Sequence, residues 1–309
     1  MRYCLVTGGA GFIGSHLVEH LLRDGWNVRV LDNLSTGKAK NLKGLGQRID
    51  FIQGTINDPS ILRPAIAGCD VVFHLAALPS VARSLVDPMT THEVCATGTL
   101  SVLDAARQMG VRRVVYAASS SAYGGTPGAL RSESDPIAPL SPYASSKLSG
   151  ELYCQSFTTV YGLETVRLRF FNIFGPRQDA RSPYTGVIAL FIAGMLERKR
   201  PSVQGDGLQS RDFTYVENAV QALIRAADAP NAIGKVYNIG NGETTTILQL
   251  VQNLNEILGT SLAPVHAAAR AGDVRHSQAD ISLARQDLDY EPSVNFVEGL
   301  RRTVESLRT

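Results

Sequence analysis

Along the first half of the chain, short runs that are apolar at nearly every position alternate with longer stretches whose apolar residues recur every three or four positions. YCLVT (3–7), NVRVLD (27–32), DFIQG (50–54), DVVFHLAA (70–77), RRVVYAAS (112–119) and ETVRLRFFN (164–172) form the first set. They are rich in β-branched residues and apolar on both faces, as strands buried inside a sheet must be. FIGSHLVEHLLRDG (12–25), PSILRPAIAG (59–68), PMTTHEVCATGTLSVLDAARQMG (88–110) and PYASSKLSGELYCQSFTTVYG (142–162) predict helices between them, with Gly25, Gly68, Gly110 and Gly162 where C-terminal caps are expected. Strands alternating with helices imply right-handed crossovers, so the fold class is α/β with a doubly wound parallel sheet.

The rhythm breaks after about residue 172. FGPRQDARSPYTG (174–186) and KRPSVQGDGLQSRDF (199–213) are rich in glycine, proline and charge and read as long loops, which inside a compact domain usually serve function. Helices are expected at roughly 187–198, 215–228, 246–258 and 295–307, with a further strand at KVYNIG (235–240). The expected plan is a Rossmann domain over 1–172, to which 213–240 returns, and a smaller α/β C-terminal lobe built from 173–212 and 241–309. A ligand is expected between them.

Composition removes several classes of partner. Of 309 residues, 44% are hydrophobic and 19% charged, which describes a globular chain rather than a disordered one. Thirty Lys and Arg against 28 Asp and Glu leave a net charge of +2, so neither nucleic acid nor a membrane surface is the expected partner. An anionic ligand would therefore be held by a local site. Cys4, Cys69, Cys95 and Cys154 are scattered without CxxC or zinc spacing, so they are expected to be reduced and buried, with no metal. No apolar run approaches a membrane span, and a strand beginning at Tyr3 leaves no room for a signal peptide; the expected compartment is the cytoplasm.

TGGAGFIG (7–14) joins the first strand to the first helix, with Gly8, Gly11 and Gly14 in GxxGxxG register. In a dinucleotide-binding turn, Gly8 permits the tight turn, Gly11 lets the backbone approach a pyrophosphate, and Gly14 allows close helix–strand packing. Free N–H groups and the helix dipole then attract the phosphates. Asp32 ends the second strand, where a carboxylate bonds ribose hydroxyls and repels a 2′-phosphate, which favours NAD over NADP. Lys38 and Lys40 argue the other way but are accounted for by a surface loop.

SPYASSK (141–147) places Tyr143 and Lys147 four residues apart in a helical pattern, hence on one face, with the lysine able to sit below the phenol. A tyrosine near its ordinary pKa of about 10 is a poor base at neutral pH, and a nearby ammonium and a positive nicotinamide ring favour its phenolate. AASSSAYGG (117–125) supplies hydroxyls at a strand end facing the crevice where ligands bind. Residue chemistry does not rank Ser119, Ser120 and Ser121.

Together GGAGFIG, HLAA (74–77), SSSAYG, SPYASSK and RFFNIFGPRQ resemble the extended short-chain dehydrogenase/reductase superfamily, and within it the nucleotide-sugar 4-epimerases. The resemblance runs from Tyr3 to beyond Asp280. It implies catalytic Ser119, Tyr143 and Lys147, with Ser119 counted back from Tyr123-Gly124. It implies NAD contacts at Gly8, Gly11, Phe12, Ile13, Gly14, Asp32, Asn33, Thr36 and Gly37, at Thr55, Ile56, Leu75, Ala76 and Ala77, and at Tyr143, Lys147 and Phe170. Substrate contacts are implied at Ser120, Ser121, Asn172, Val187, Arg211, Arg270, Asp273 and Ser277. The chain departs from the family's commonest pattern at Thr55 and Ile56, where an aspartate is usual, at Pro79 in place of a lysine, and at Cys95 in place of an asparagine.

The implied reaction is 4-epimerisation of a UDP-sugar: hydride transfer from C4 to bound NAD, rotation of the 4-keto sugar, and hydride return. Sister 4,6-dehydratases carry Asp-Glu beside the catalytic hydroxyl and decarboxylases a glutamate; Ser120 and Ser121 stand there instead. A UDP-glucuronate 4-epimerase or decarboxylase and a non-catalytic NAD-binding sensor are the alternatives, although a sensor usually lacks the Tyr or Lys. In GDVRHSQAD (272–280), Ser277 falls on the position facing the sugar's C2 substituent, where a small residue leaves room for an acetamido group. UDP-GlcNAc/UDP-GalNAc and UDP-glucose/UDP-galactose are therefore the expected substrates. The family's helix pairing also implies a homodimer through 88–109 and 142–161.

Overall fold

The computed structural model describes residues 2–126, 128–180, 185–269 and 274–308. In chain order the strands are β1 (Tyr3–Thr7), β2 (Asn27–Asp32), β3 (Ile49–Gln53), β4 (Val71–His74), β5 (Arg113–Ser119), β6 (Leu130–Arg131), β7 (Glu164–Phe170), β8 (Ile173–Phe174), β9 (Ser202–Gln204), β10 (Ser210–Arg211), β11 (Thr214–Tyr215), β12 (Val236–Ile239), β13 (Thr245–Thr246), β14 (Val265–Ala267) and β15 (His276–Ala279). The α-helices are α1 (Phe12–Arg23), α2 (Pro59–Ile66), α3 (Val81–Val86), α4 (Pro88–His92), α5 (Gly98–Gln108), α6 (Pro142–Tyr161), α7 (Val187–Leu196), α8 (Val216–Ala226), α9 (Ile247–Leu258), α10 (Ser282–Leu288) and α11 (Phe296–Arg308).

Seven strands form one parallel sheet in the order β12-β7-β5-β4-β1-β2-β3. This is the doubly wound Rossmann arrangement expected of the strand–helix alternation. Side chains alternate between its faces: Cys4 and Val6 join α1 and α8 in one core, while Leu5 joins α2, α5 and α6 in the other. All four anticipated C-cap glycines lie at positive φ (Gly25 78°, Gly68 75°, Gly110 70°, Gly162 71°), a conformation that costs glycine little.

Two readings are corrected. The stretch 88–110 is not one α-helix, because a π-turn over Glu93–Thr97 separates α4 from α5. Such a turn adds a residue without breaking the helix and often marks a functional site, and a period-3.6 pattern does not reveal it. The stretch 199–213 is not a continuous loop either, since it holds β9 and β10. Two-residue strands carry no periodicity to read; β10 exists because β13 and β15 flank it in a four-stranded sheet ordered β13-β10-β15-β6. A third core, under α7, α9 and α11, supports this region, and Ile13 of α1 packs against both it and the core beneath β1.

Candidate active site

The glycine turn is built as the spacing requires, with one change of role. Gly8 has φ 72°, and a Cβ there would lie 2.8 Å from the Ala76 nitrogen, so the turn lies directly against the Leu75–Ala77 wall. Gly14 serves the turn rather than a strand: its Cβ would come within 2.2 Å of the Gly8 carbonyl oxygen. Gly9 needs its small size too, because a Cβ would meet the Val30 side chain at 2.7 Å; the GxxGxxG register does not single it out.

Gly11 is the N-cap of α1 and supplies no side-chain cap, and a Cβ on it would meet only the Gly8 oxygen, at 3.0 Å. The turn surface therefore stays open, with helix N–H groups free for a phosphate. Asp32 is 7% exposed and accepts the Ala10 N–H at 2.9 Å and the Leu34 N–H at 2.8 Å. Burial pushes its carboxyl up from the ordinary aspartate range, and those two N–H groups oppose the shift. A Cβ on Gly37 would lie 2.8 Å from both Asp32 oxygens, so glycine keeps the space over the carboxylate clear. Lys38 pairs with Asp179 at 2.7 Å, which matches its charge from within the protein. An open phosphate cradle and a carboxylate held at the end of β2 fit a dinucleotide.

Around this turn, Asn33 accepts the Ser35 N–H at 3.0 Å and Thr36 is exposed. Thr55 accepts the Asn57 N–H at 3.3 Å, while Ile56 is buried beneath Gly98. Phe12 packs on the C-terminal core.

Ser119, last residue of β5, and Tyr143, in the first turn of α6, are brought together, the serine side chain close enough to act on the phenol. Burial pushes the Tyr143 phenol up, the Cys95 thiol adds to the shift, and Ser119 alone opposes it. Ser119 also lies 2.8 Å from the Ser121 hydroxyl. Of the three serines, Ser119 is thus the one that acts on the phenol. Phe170 lies opposite Ser119 in the β5–β7 register.

Lys147 lies one turn further along α6 from Tyr143. It is 3% exposed, and its ammonium lies over the Tyr116 ring, 4.2 Å from the centroid. The Tyr123-Gly124 pair of SSSAYG is structural. The Tyr123 hydroxyl donates to Asn238 Oδ1 at 2.6 Å, and a Cβ on Gly124 would fall 1.8 Å from the Ala138 oxygen.

A second cluster forms in the smaller sheet. Arg211 of β10 and Ser277 of β15 are direct partners in the parallel register, and the Arg211 guanidinium donates to the Ser210 and Arg275 carbonyls at 2.9 and 3.3 Å. His276 is exposed and its Nδ1 lies 2.9 Å from the Ser210 hydroxyl. Asn172 has φ 35°, and its side-chain amide donates to the Asp212 carbonyl at 3.2 Å. Val187 is the first residue of α7. Arg270 and Asp273 lie outside the described residues.

Sequence reasoning missed Asp212. It is fully buried, and its carboxylate accepts the N–H groups of Asn241 (2.7 Å), Gly242 (3.0 Å) and Ala279 (3.2 Å), clamping the ends of β12 and β15. An aspartate after an arginine in a polar stretch gives no sign of burial. Among the described residues, no group of three His, Cys, Asp or Glu is placed to hold a metal, and no helix is long and apolar enough to cross a membrane.

A doubly wound sheet with this glycine turn, a carboxylate ending β2 and a Ser–Tyr–Lys set defines the short-chain dehydrogenase/reductase class. A model of the NAD dependent epimerase/dehydratase family matches residues 4–240, and the chain belongs to that family. Its cofactor is accordingly NAD.

The chain is 37% identical over 313 residues to a UDP-glucose 4-epimerase of Mycolicibacterium smegmatis, with 98% of each chain covered. It is similar to the structure of a UDP-N-acetylglucosamine 4-epimerase from Methanobrevibacter ruminantium in complex with UDP-N-acetylmuramic acid (TM-score 0.95, 38% identity, 99% of this chain and 98% of that one). It is also similar to a UDP-glucuronic acid 4-epimerase from Bacillus cereus in complex with UDP-glucuronic acid and NAD (TM-score 0.92, 34% identity, 99% of both chains).

Proposed function

We propose that the protein is a UDP-hexose 4-epimerase that interconverts UDP-GlcNAc with UDP-GalNAc and UDP-glucose with UDP-galactose. The observation that carries this reading is the pairing of Ser119 with Tyr143, with Ser120 and Ser121 following where elimination or decarboxylation would call for a carboxyl group. A site with one proton-transfer group and no second acid beside it can oxidise and reduce a carbinol carbon but cannot assist loss of water.

Bound NAD supplies the hydride acceptor and donor for the sugar's C4. Tyr143 takes the proton of the 4-hydroxyl and later returns it, Ser119 shares that hydrogen bond, and Lys147 favours the phenolate by its charge. The open turn at Gly11 receives the cofactor's pyrophosphate, and Asp32 its adenosine ribose. Arg211, with Arg270, neutralises the substrate diphosphate, Asn172 and Val187 border it, and Asp273 bonds the nucleotide's ribose. Ser277, in register with Arg211, lies toward C2 of the sugar and leaves room for an acetamido group to turn.

A homodimer is supported by apolar surface left on neighbouring helices: Met89 of α4 is 76% exposed and Val160 of α6 68%. Four free, buried cysteines accord with a reducing cytoplasm.

The test is parallel incubation of the NAD-loaded protein with UDP-GlcNAc, UDP-glucose and UDP-glucuronate, following the anomeric protons by NMR. C4-epimer mixtures from the first two support the reading. Turnover of UDP-glucuronate alone, by epimerisation or with release of carbon dioxide, assigns the protein to the uronate group. No turnover of any sugar leaves an NAD-binding sensor.

A further inference from the structure

We propose that Tyr116, within β5, is a positioning residue for this reaction: the face of its ring seats the Lys147 ammonium beside Tyr143. The inference rests on the epimerase reading and extends it to a residue that none of the site motifs contains.

Lys147 is buried without an ion pair among the described residues. The nearest acid on its own helix, Glu151, is committed to Arg169, whose Nη2 lies 2.8 Å and Nε 3.1 Å from the carboxylate oxygens. What the ammonium faces instead is the Tyr116 ring, 4.2 Å from Nζ to the centroid. An aromatic face carries negative charge density, and its attraction for a cation is strongest where both are desolvated. Tyr116 is wholly buried.

The ring is fixed for this task. Its hydroxyl donates to the Lys147 carbonyl at 3.1 Å, tying the platform to the residue it carries. Room for that hydroxyl comes from Gly150, where a Cβ would fall 2.3 Å from the phenol oxygen. The ring also stacks on His74, centroids 5.6 Å apart and planes at 29°.

His74 sits between Thr7 Oγ1 (2.8 Å from Nδ1) and Thr99 Oγ1 (3.0 Å from Nε2). Thr99 donates its own proton to the Cys95 carbonyl at 2.7 Å, so Nε2–H donates to Thr99 and Nδ1 accepts from Thr7. Both ring nitrogens are satisfied in the neutral form. Burial, aided by the Lys147 charge, pulls the imidazole down to about 3, so no second cation competes for the ring.

The remaining titratable groups acting on the ammonium are the Cys95 and Cys154 thiols and Glu151. Tyr143 and Lys147 stand four residues apart on α6, so phenol and ammonium share one face of that helix. Burial lowers the ammonium's affinity for its proton. Without the ring face, a group so placed would lose its charge or swing away, and the phenolate would lose its counter-charge.

The experiment replaces Tyr116 with Phe and with a series of ring-fluorinated phenylalanines, which drain the aromatic face while keeping its shape, and with Leu. The readout is the titration of Tyr143, measured at 295 nm as the difference between each protein and its Tyr143→Phe counterpart, with oxidised NAD bound and no sugar present. Turnover is measured in parallel across pH. The Phe variant is expected to keep the wild-type midpoint. Successive fluorination raises it, reaching about one pH unit in the most fluorinated variant and in Leu, equivalent to about tenfold less phenolate below the midpoint. The acid limb of kcat moves with it, while KM for the sugar changes little. A midpoint unmoved by fluorination, or moved equally by Phe and Leu, overturns the proposal. A wild-type protein that titrates normally but converts no sugar overturns the epimerase reading instead.

Discussion

The side chain of Ser119, at the end of β5, acts on the phenol of Tyr143, in the first turn of α6, and favours its phenolate. The pair links the carboxyl end of β5 to the start of α6. On the proposed mechanism, replacing Tyr143 with Phe removes the proton acceptor and should lower turnover by about 10²- to 10⁴-fold, the usual worth of a positioned acid–base group. Ser119→Ala should cost less, since the phenol remains. Thermal melting of both variants close to wild type, alongside steady-state rates, separates chemistry from folding.

Asp32 presents a buried carboxylate at the end of β2, held by the Ala10 and Leu34 N–H groups. Asp32→Asn keeps one acceptor oxygen but removes the charge. NAD affinity of the stripped protein, followed by nicotinamide fluorescence on titration with NADH, should fall about tenfold, because hydrogen bonds to charged groups are worth about 1.5–3 kcal/mol. NADPH should lose far less, since the repulsion of its phosphate disappears with the charge. Equal losses for both cofactors would assign Asp32 to holding the turn alone.

His74 makes stability depend on pH. Its folded pKa, about 3, lies below the ordinary histidine value, so between pH 6.5 and 3 the unfolded chain binds the proton that the folded one refuses. Stability is therefore complete above about pH 6.5 and is lost as pH falls, by up to about 1.4 kcal/mol per pH unit from this residue. Urea unfolding at pH 7 and at pH 5 should differ by about 2 kcal/mol on this account. In His74→Gln, which can still bond both threonines, that part of the slope should vanish.

On the proposed reading, Ser277 faces the C2 substituent of the sugar. Ser277→Tyr should abolish conversion of UDP-GlcNAc while sparing UDP-glucose, because only the acetamido group needs the volume that the serine leaves. Comparing kcat/KM for the two sugars checks it, and equal loss on both would dismiss the role.

Asp212 holds three backbone N–H groups in the dry junction between the two sheets. Asp212→Leu should leave all three without an acceptor, each costing about 1–3 kcal/mol. Chemical denaturation should show a large loss, with the smaller lobe yielding first to limited proteolysis.

Much of the fold was legible in the chain itself. Continuous apolar runs such as VVFH and RVVYAAS can only be strands buried on both sides, and glycines at 25, 68, 110 and 162 end helices because few other residues accept that backbone. The glycine turn, Asp32 and the Tyr143–Lys147 spacing were legible for the same reason: their geometry is local, fixed by helix pitch and turn sterics. What local rules could not reach was decided by contacts between distant segments. Ser119 is distinguished from its neighbours because α6 brings Tyr143 to it. Lys147 rests on Tyr116 because β5 runs beneath the helix, and Asp212 is buried because β12 and β15 converge on it. No periodicity in GDVRHSQAD marks a strand, yet His276–Ala279 is one, held between β10 and β6. Four residues have too few neighbours of their own to choose a conformation, so the flanking strands, which supply their hydrogen bonds, chose it for them.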